Sequence, residues 1–272
     1  MVFVVGRVLH TLPDGKAVWG VTSFDNLIYV LRGKSSKEIE VYDTQSYRLQ
    51  KRVTVPGLDA MSDMVACTHN VCIYISGFTD GCIHRVELPD VSVKKWPVNE
   101  ICGCLSITDA HSVLVTCQEA QMIKEFSTDG KLLCQIELPQ NVESPWHTIQ
   151  LSSGEFLVCH GRTHDPAHRV CLIGADGHVV KSYGGPGSQK MNVPVHMVVD
   201  KNGFVFVVDF MNYRVLLLSP SLTYVREVVS RDQFKWKPQR LFLDVDRHRL
   251  YVVKNEWKNE KFTAGDVVVV SV

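Results

Sequence analysis

The sequence lacks the features that identify membrane proteins, secreted proteins and uniformly basic nucleic-acid binders. Its 29 lysines and arginines balance 29 aspartates and glutamates, so no overall positive charge is available to coat a nucleic acid. No apolar run approaches the roughly 18 residues of a membrane span. The first residues carry neither a basic stretch nor a small-residue cleavage site, which argues against a signal peptide. We therefore expect a cytoplasmic protein without a membrane partner.

Motifs of common catalytic sites are also missing. The sequence contains no glycine-flanked serine of the hydrolase type, no phosphate-binding loop and no dinucleotide-binding glycine pattern. A period of 3.6 residues is absent between the apolar runs, which argues against a TIM barrel. From these absences we predict no catalytic residue, no cofactor and no enzyme activity.

The nine cysteines do not have the spacing of a disulfide framework, and their number is odd. Most lie within apolar runs, such as residues 71–74 and 156–159. We predict that they are small buried side chains kept reduced, which agrees with a cytoplasmic location. One close pair, Cys102 and Cys104, is too little to indicate a metal site.

What the sequence does contain is an internal repeat. Short runs rich in Val, Ile, Leu and Tyr follow a turn residue six times, starting at Asn26, Asn70, His111, Gly154, Gly203 and His248. Units of about 45 residues, each with room for four short strands, are typical of a propeller. The prediction is an all-β fold, a six-bladed β-propeller of four-stranded antiparallel blades, with residues 1–272 as one domain.

The two ends of the chain predict how the propeller closes. Residues 265–272 look like the third strand of the last blade, with no fourth strand after them. Residues 6–13 match the pattern of an outer strand such as residues 130–139. The N-terminal strand should therefore complete the last blade and remove its open edge. Residues 1–5 precede this match and have no assignment.

The fifth unit carries a motif with a family resemblance. Residues 194–218, with Asp209, Asn212 and Arg214 at a turn, resemble an NHL repeat, and residues 240–270 are similar to the last repeat of animal tripartite-motif NHL proteins. The resemblance implies the substrate-recruiting domain of a ubiquitin ligase, whose RING domain is absent from the sequence. It also implies an alternative, an RNA-binding domain in post-transcriptional regulation. From the residues alone, the Asp–Asn–Arg set reads as a structural turn.

Phasing of the repeat brings two rings of side chains to one end of the central channel, where binding loops are expected. The innermost strands supply Trp19, Asp63, Cys104, His147, His196 and Arg240, and the second strands supply Arg32, Ser76, Cys117, His160, Asp209 and Lys254. His147 and His196, with His160, His164 and His168, are the residues that a zinc-dependent propeller enzyme would use. The last three lie on or beside a proline-containing loop of unspecified geometry, so no metal site is predicted.

Two loops beside the last unit, residues 231–240 and 254–261, interleave basic residues with Phe234, Trp236 and Trp257. Such surfaces bind acidic peptides, or bind RNA by stacking on its bases and neutralising its phosphates. The predicted ligand-binding residues are Arg32, His147, His196, Lys235, Trp236, Lys237, Arg240, Lys254, Trp257 and Lys258. The neutral overall charge favours a protein or peptide partner of a monomeric, non-catalytic domain. Single-stranded or stem-loop RNA is the alternative, DNA is not expected, and a metal-dependent enzyme is the third alternative.

Overall fold

The structure is a computed structural model that describes residues 6–13, 15–33, 37–58, 61–88, 90–161, 168–185, 191–259 and 261–272. Residues 1–5 and His164 lie outside these ranges. The described strands form six four-stranded antiparallel sheets. The first strand of each sheet contacts the first strands of both neighbouring sheets, so that six inner strands surround a central channel. The prediction of a six-bladed β-propeller is confirmed.

Each of the first five blades is a consecutive run of four strands, from the channel outward. Blade one contains β2 (Val18–Phe24), β3 (Leu27–Arg32), β4 (Glu38–Asp43) and β5 (Leu49–Thr54). Blade two contains β6 (Met61–Cys67), β7 (Cys72–Gly77), β8 (Cys82–Glu87) and β9 (Val93–Pro97). Blade three contains β10 (Leu105–Ile107), β11 (Val113–Cys117), β12 (Met122–Phe126) and β13 (Leu132–Glu137).

The remaining blades complete the circle. Blade four contains β14 (Pro145–Gln150), β15 (Phe156–His160), β16 (Arg169–Ile173) and β17 (Val179–Gly184). Blade five contains β18 (Pro194–Val199), β19 (Val205–Asp209), β20 (Arg214–Leu218) and β21 (Tyr224–Val229), with one turn of 3-10 helix at Phe210–Asn212. Blade six contains β22 (Lys237–Asp244), β23 (Arg249–Lys258) and β24 (Lys261–Ser271), and β1 (Val8–Pro13) is its outer strand.

The burial of each strand follows its distance from the channel. Second strands are covered on both faces by adjacent blades, so all five residues of β15 are buried. Outer strands such as β13 have solvent beyond them, and most of their residues are exposed or half-buried. Apolar side chains of neighbouring blades therefore pack face to face, as Phe206 and Val208 of blade five do with Leu241 and Val252 of blade six.

The closing strand β1 joins the two ends of the chain. It pairs antiparallel with β24, and Leu12 lies opposite Val267. The Leu12 side chain is 1% exposed and packs in a cluster with Val18, Val253 and Val267. These contacts confirm the predicted closure of the last blade.

The largest difference from the predicted elements concerns residues 254–261, which were expected to form a loop. Instead, β23 and β24 continue as a hairpin in which Trp257 lies opposite Phe262 and Lys258 opposite Lys261. The rings of Trp257 and Phe262 meet edge to face with centroids 4.6 Å apart. A cross-strand aromatic pair of this kind stabilises strand pairing. The positive φ of Asn259 provides the turn.

None of the nine cysteines forms a disulfide, and all except Cys82 and Cys134 are buried. Burial raises the pKa of the Cys117 and Cys171 thiols to about 11. Across the described ranges, no helix has both the length and the apolar character needed to cross a membrane.

Candidate functional site

We call the end of the channel at which the inner strands begin the upper face, and the opposite end the lower face. Near the upper face, one residue at the start of each inner strand forms a ring, namely Gly20, Asp63, Cys104, His147, His196 and Arg240. Five of them directly follow a β-bulge of the inner strand. The sixth, Cys104, lies just before β10 and accepts a hydrogen bond from the Thr116 amide of the second strand. The sequence analysis assigned Trp19 to this ring, but Trp19 occupies the β-bulge just before it. A Cβ at Gly20 would lie 2.6 Å from the Cβ of Met64, so blade one contributes no side chain.

Asp63 is the charged centre of the ring and is almost completely buried. It accepts hydrogen bonds from the Leu105 amide at 2.9 Å and from the Nε of Arg240 at 3.1 Å. Burial alone would raise the pKa of this carboxyl, but the Arg240 charge and the nearby His196 imidazole outweigh burial and hold the pKa well below its ordinary value. Arg240 also donates to the Ser62 carbonyl at 2.8 Å, so it ties blade six to blade two across the channel.

The two predicted histidines are stacked, with ring centroids 4.0 Å apart. The Met197 amide donates to Nδ1 of His147, and Nε2 of His147 donates to the Leu105 carbonyl. The Leu241 amide donates to Nδ1 of His196, whose Nε2 lies 3.7 Å from Asp63. Burial lowers the pKa of both imidazoles. Both Nδ1 lone pairs are therefore occupied by backbone amides of the next blade, and the neutral rings hold adjacent blades together.

Below this ring the channel contains a cavity of about 240 Å³. Its lining runs from His147 and His196 toward the lower face and is mainly apolar, with Met64, Ile107 and Leu243 among its walls. Within the described part of the chain, no three His, Cys, Asp or Glu side chains lie close enough to share a metal ion.

Arg32, another predicted binding residue, is 2% exposed and is bonded inside the protein. Its Nε forms an ion pair with Glu40 at 2.5 Å. Its terminal nitrogens donate to the Leu12 and Gly265 carbonyls, each at 3.0 Å. The structure therefore gives Arg32 a role in fastening blade one to both strands of the closure.

The basic and aromatic residues predicted around blade six come together on the upper face. A cavity of about 280 Å³ is lined by Tyr213, Lys235, Trp236, Lys237, Glu256, Trp257 and Lys258, and we call these residues the Lys–Trp pocket. Trp257 stands on the projecting hairpin and is 46% exposed. The single carboxylate of the pocket, Glu256, is paired with Lys258 at 2.7 Å. The remaining lysines give the pocket a positive charge beside aromatic walls.

Lys237 is the most unusual residue of the Lys–Trp pocket because it is a lysine with only 9% exposure. Its ammonium lies over the rings of Phe210, Tyr213 and Trp257, between 4.8 and 5.9 Å from their centroids. It donates to the sulfur of Met211 at 3.0 Å. No carboxylate pairs with it among the residues that the structure describes, and burial lowers its pKa.

Two further predicted residues lie outside the pocket. Arg240 faces the channel axis in the Asp63 ring, as described above. Lys254 lies behind Trp236, with its ammonium 5.2 Å from that ring and 3.5 Å from Asp266. The predicted set is thus divided among the closure, the ring and the pocket, rather than forming one continuous mouth.

Two aromatic residues that surround the Lys237 ammonium were not predicted from the sequence. Phe210 and Tyr213 belong to the turn of blade five, which was interpreted only as structural. That interpretation fits Asp209, which accepts hydrogen bonds from Asn212 at 2.8 Å and Arg214 at 2.7 Å. The same turn directs Phe210 and Tyr213 toward Lys237. The two aromatic residues within two positions of Asn212 are the signal that could have identified them.

Comparison with known proteins shows the fold and no family. No family model matches the sequence, and no curated protein does. The structure of virginiamycin B lyase from Staphylococcus aureus is similar with a TM-score of 0.65 and 12% identity, over 89% of this chain and 80% of that one. A streptogramin B lyase structure gives a TM-score of 0.65 at 13% identity, over 98% and 86%. A protein of unknown function from Bacteroides caccae gives 0.61 at 13% identity, over 85% and 97%.

These similarities correct one expectation. The absent catalytic motifs and the resemblance to recognition domains predicted a chain that is not an enzyme. That inference is wrong, since two of the structures that share the fold belong to lyases, and a propeller of this kind is therefore compatible with catalysis. At 11 to 13% identity the likeness itself shows the fold alone.

Proposed function

We propose that the protein recognises an acidic segment of a partner protein in the Lys–Trp pocket. The observation that carries this proposal is the composition of the pocket, in which three lysines and three aromatic residues surround one carboxylate that is already paired. Lys235 is exposed and Lys237 has no described carboxylate partner, so an acidic group entering the pocket would meet two uncompensated charges. Aromatic side chains beside such charges are typical of interface hot spots.

The repeat motif supports a more specific form of this proposal. Blades five and six carry the NHL-like motif, and both supply the pocket. In this form, which rests on the resemblance to tripartite-motif proteins, the acidic segment belongs to a substrate that this domain presents for ubiquitin transfer. Cytoplasmic location, monomeric state and the absence of a DNA partner remain predictions within this proposal.

The test uses fluorescence anisotropy with labelled peptides that combine glutamate with phenylalanine, and with matched peptides in which lysine replaces glutamate. We expect binding of the acidic peptides only. Trp257→Ala should weaken that binding by about 2 kcal/mol, roughly thirty-fold. It should lower the melting temperature only slightly, because the side chain is half exposed and its pairing with Phe262 stabilises only the projecting hairpin. Phe78→Ala is the matched control, since Phe78 is 48% exposed on blade two, outside the pocket.

RNA binding is a separate outcome of the same test. A single-stranded oligouridine that binds more tightly than the acidic peptides, and whose affinity falls steeply with salt, would favour the RNA alternative. If neither probe binds, or if Trp257→Ala and Phe78→Ala have equal effects, the pocket is not the recognition site.

A second candidate function is catalysis in the channel cavity. It is supported by the shared fold with virginiamycin B lyase, one of whose structures is a catalytically inactive variant with quinupristin, and by the two histidines that line the cavity. Chromatography of quinupristin incubated with the protein tests it. Conversion that is lost in His147→Ala but retained in Trp257→Ala would support catalysis in the channel, whereas an unchanged compound would exclude this substrate.

A further inference from the structure

The Lys237 amine combines three features that rarely occur together. It is nearly buried, it is surrounded by three aromatic rings and a thioether, and it lines a cavity of about 280 Å³. Among the described residues no carboxylate pairs with it. A lysine without a counter-ion in an apolar site is the arrangement by which proteins make this side chain nucleophilic.

We propose that Lys237 forms a reversible imine with a small aldehyde or ketone that carries an anionic group. The inference does not rest on peptide recognition, because it needs only the amine and the cavity. The cavity volume of about 280 Å³ is sufficient for a small molecule of this class beside the amine. Lys235 and Lys258, on the same lining, are the cations that would bind a carboxylate or phosphate of the ligand.

The reaction balances without an oxidant or a reductant. The ammonium of Lys237 first releases a proton to solvent. The neutral nitrogen then attacks the carbonyl carbon, so that a C–N bond forms while the π bond of the carbonyl breaks toward oxygen. A proton moves from nitrogen to that oxygen, which gives a carbinolamine. The C–O bond then breaks, the hydroxyl leaves as water together with the remaining nitrogen proton, and the imine is left; hydrolysis reverses the sequence.

Two opposing effects act on the proton of Lys237. The ring faces attract the ammonium and favour its protonated form. Removal from water without a paired carboxylate favours the neutral amine and lowers the pKa. The titratable groups on the same lining are Tyr213, Lys235, Glu256 and Lys258, and Glu256 is already neutralised by Lys258. The carboxylate that normally holds a lysine proton is thus absent from this lining.

The experiment is imine trapping on the full chain. The protein is incubated at neutral pH with glyoxylate, an aldehyde that carries a carboxylate, and cyanoborohydride, and the modified lysines are then located by peptide mass mapping. We expect Lys237 to be modified at least ten-fold faster than an exposed lysine such as Lys201. Glycolaldehyde, which is neutral, should modify Lys237 more slowly than glyoxylate does.

Lys237→Arg and Lys181→Arg form the matched pair of variants, because Lys181 is an exposed lysine of β17 outside the pocket. Both variants keep the positive charge, and only the first removes the buried amine, so only Lys237→Arg should abolish the fast adduct. Equal modification of Lys237 and Lys201, or a fast adduct that persists in Lys237→Arg, would overturn the proposal. If Lys237→Arg fails to fold, the comparison of Lys237 with Lys201 in the chain without substitutions still decides the question. Because arginine retains the charge, acidic-peptide binding in this variant reports on the proposed recognition function separately.

Discussion

The closing strand can be tested by truncating one side chain. Leu12→Ala removes a leucine that is 1% exposed and packs against Val18, Val253 and Val267. The loss of a buried leucine side chain costs about 2–5 kcal/mol, because apolar contacts are lost and a cavity remains. For a chain of this size, about 3 kcal/mol corresponds to a fall in melting temperature of roughly 6–12 °C. Urea unfolding followed by tryptophan fluorescence measures the change in free energy.

The same strand supplies its own control. Leu9 lies on β1 three residues before Leu12 but is 44% exposed. Leu9→Ala should therefore change the free energy of unfolding by less than about 0.5 kcal/mol. Deletion of residues 1–12 should destabilise the protein more than Leu12→Ala, since it also removes the carbonyl that Arg32 binds. If Leu12→Ala and Leu9→Ala unfold at the same urea concentration, β1 does not close the propeller in solution.

Three further predictions follow from the ring and the core. The pKa of the Asp63 carboxyl is lower in the folded protein than its ordinary value of about 4. Ionised Asp63 therefore stabilises the fold above about pH 4, and this stabilisation is lost as the pH falls toward the pKa of the folded state. Asp63→Asn should reduce the dependence of the urea midpoint on pH below about 4. Burial and pKa values of about 11 for Cys117 and Cys171 predict that a thiol reagent at pH 8 labels these cysteines only after unfolding, and rapid native labelling would contradict their place in the core. The Nδ1 lone pairs of His147 and His196 accept backbone hydrogen bonds and are therefore not available to a metal ion. A chelator should leave the melting temperature unchanged. A bound metal that is lost when both histidines are changed to alanine would contradict this arrangement of the rings.

Most of the propeller could be predicted because its signals are local. In blade five, apolar runs alternate with turn residues, which predicts strands at residues 195–200, 204–209, 214–218 and 224–230. The strands β18 to β21 agree with these ranges to within one residue at each end. The ring was less predictable in blade one. A β-bulge places Gly20 rather than Trp19 at the channel, and a glycine gives no sequence signal for a position defined by side chains.

The Lys–Trp pocket shows where local signals end. Lys235, Trp236 and Trp257 could be identified as a basic and aromatic cluster because they stand close together in two segments. The enclosure of Lys237 could not be predicted, because it depends on Phe210 and Tyr213 from the preceding blade and on the extension of the hairpin to Phe262. Those contacts arise only when two blades pack side by side. The separation of Arg32 and Arg240 from the pocket has the same origin, since each guanidinium is bonded to a strand distant in sequence.

The pairing of β1 with β24 also determines the order in which the protein can fold. Val8 lies opposite Val270, so this sheet joins the first described strand to the last. Blades one to five can each pair their strands locally as they are synthesised, whereas β1 must wait for β24. Contacts of such large sequence separation form slowly. Completion of the propeller is therefore a late event in folding, and until then the apolar side chain of Leu12 and the free edge of β24 must be kept from pairing with other chains.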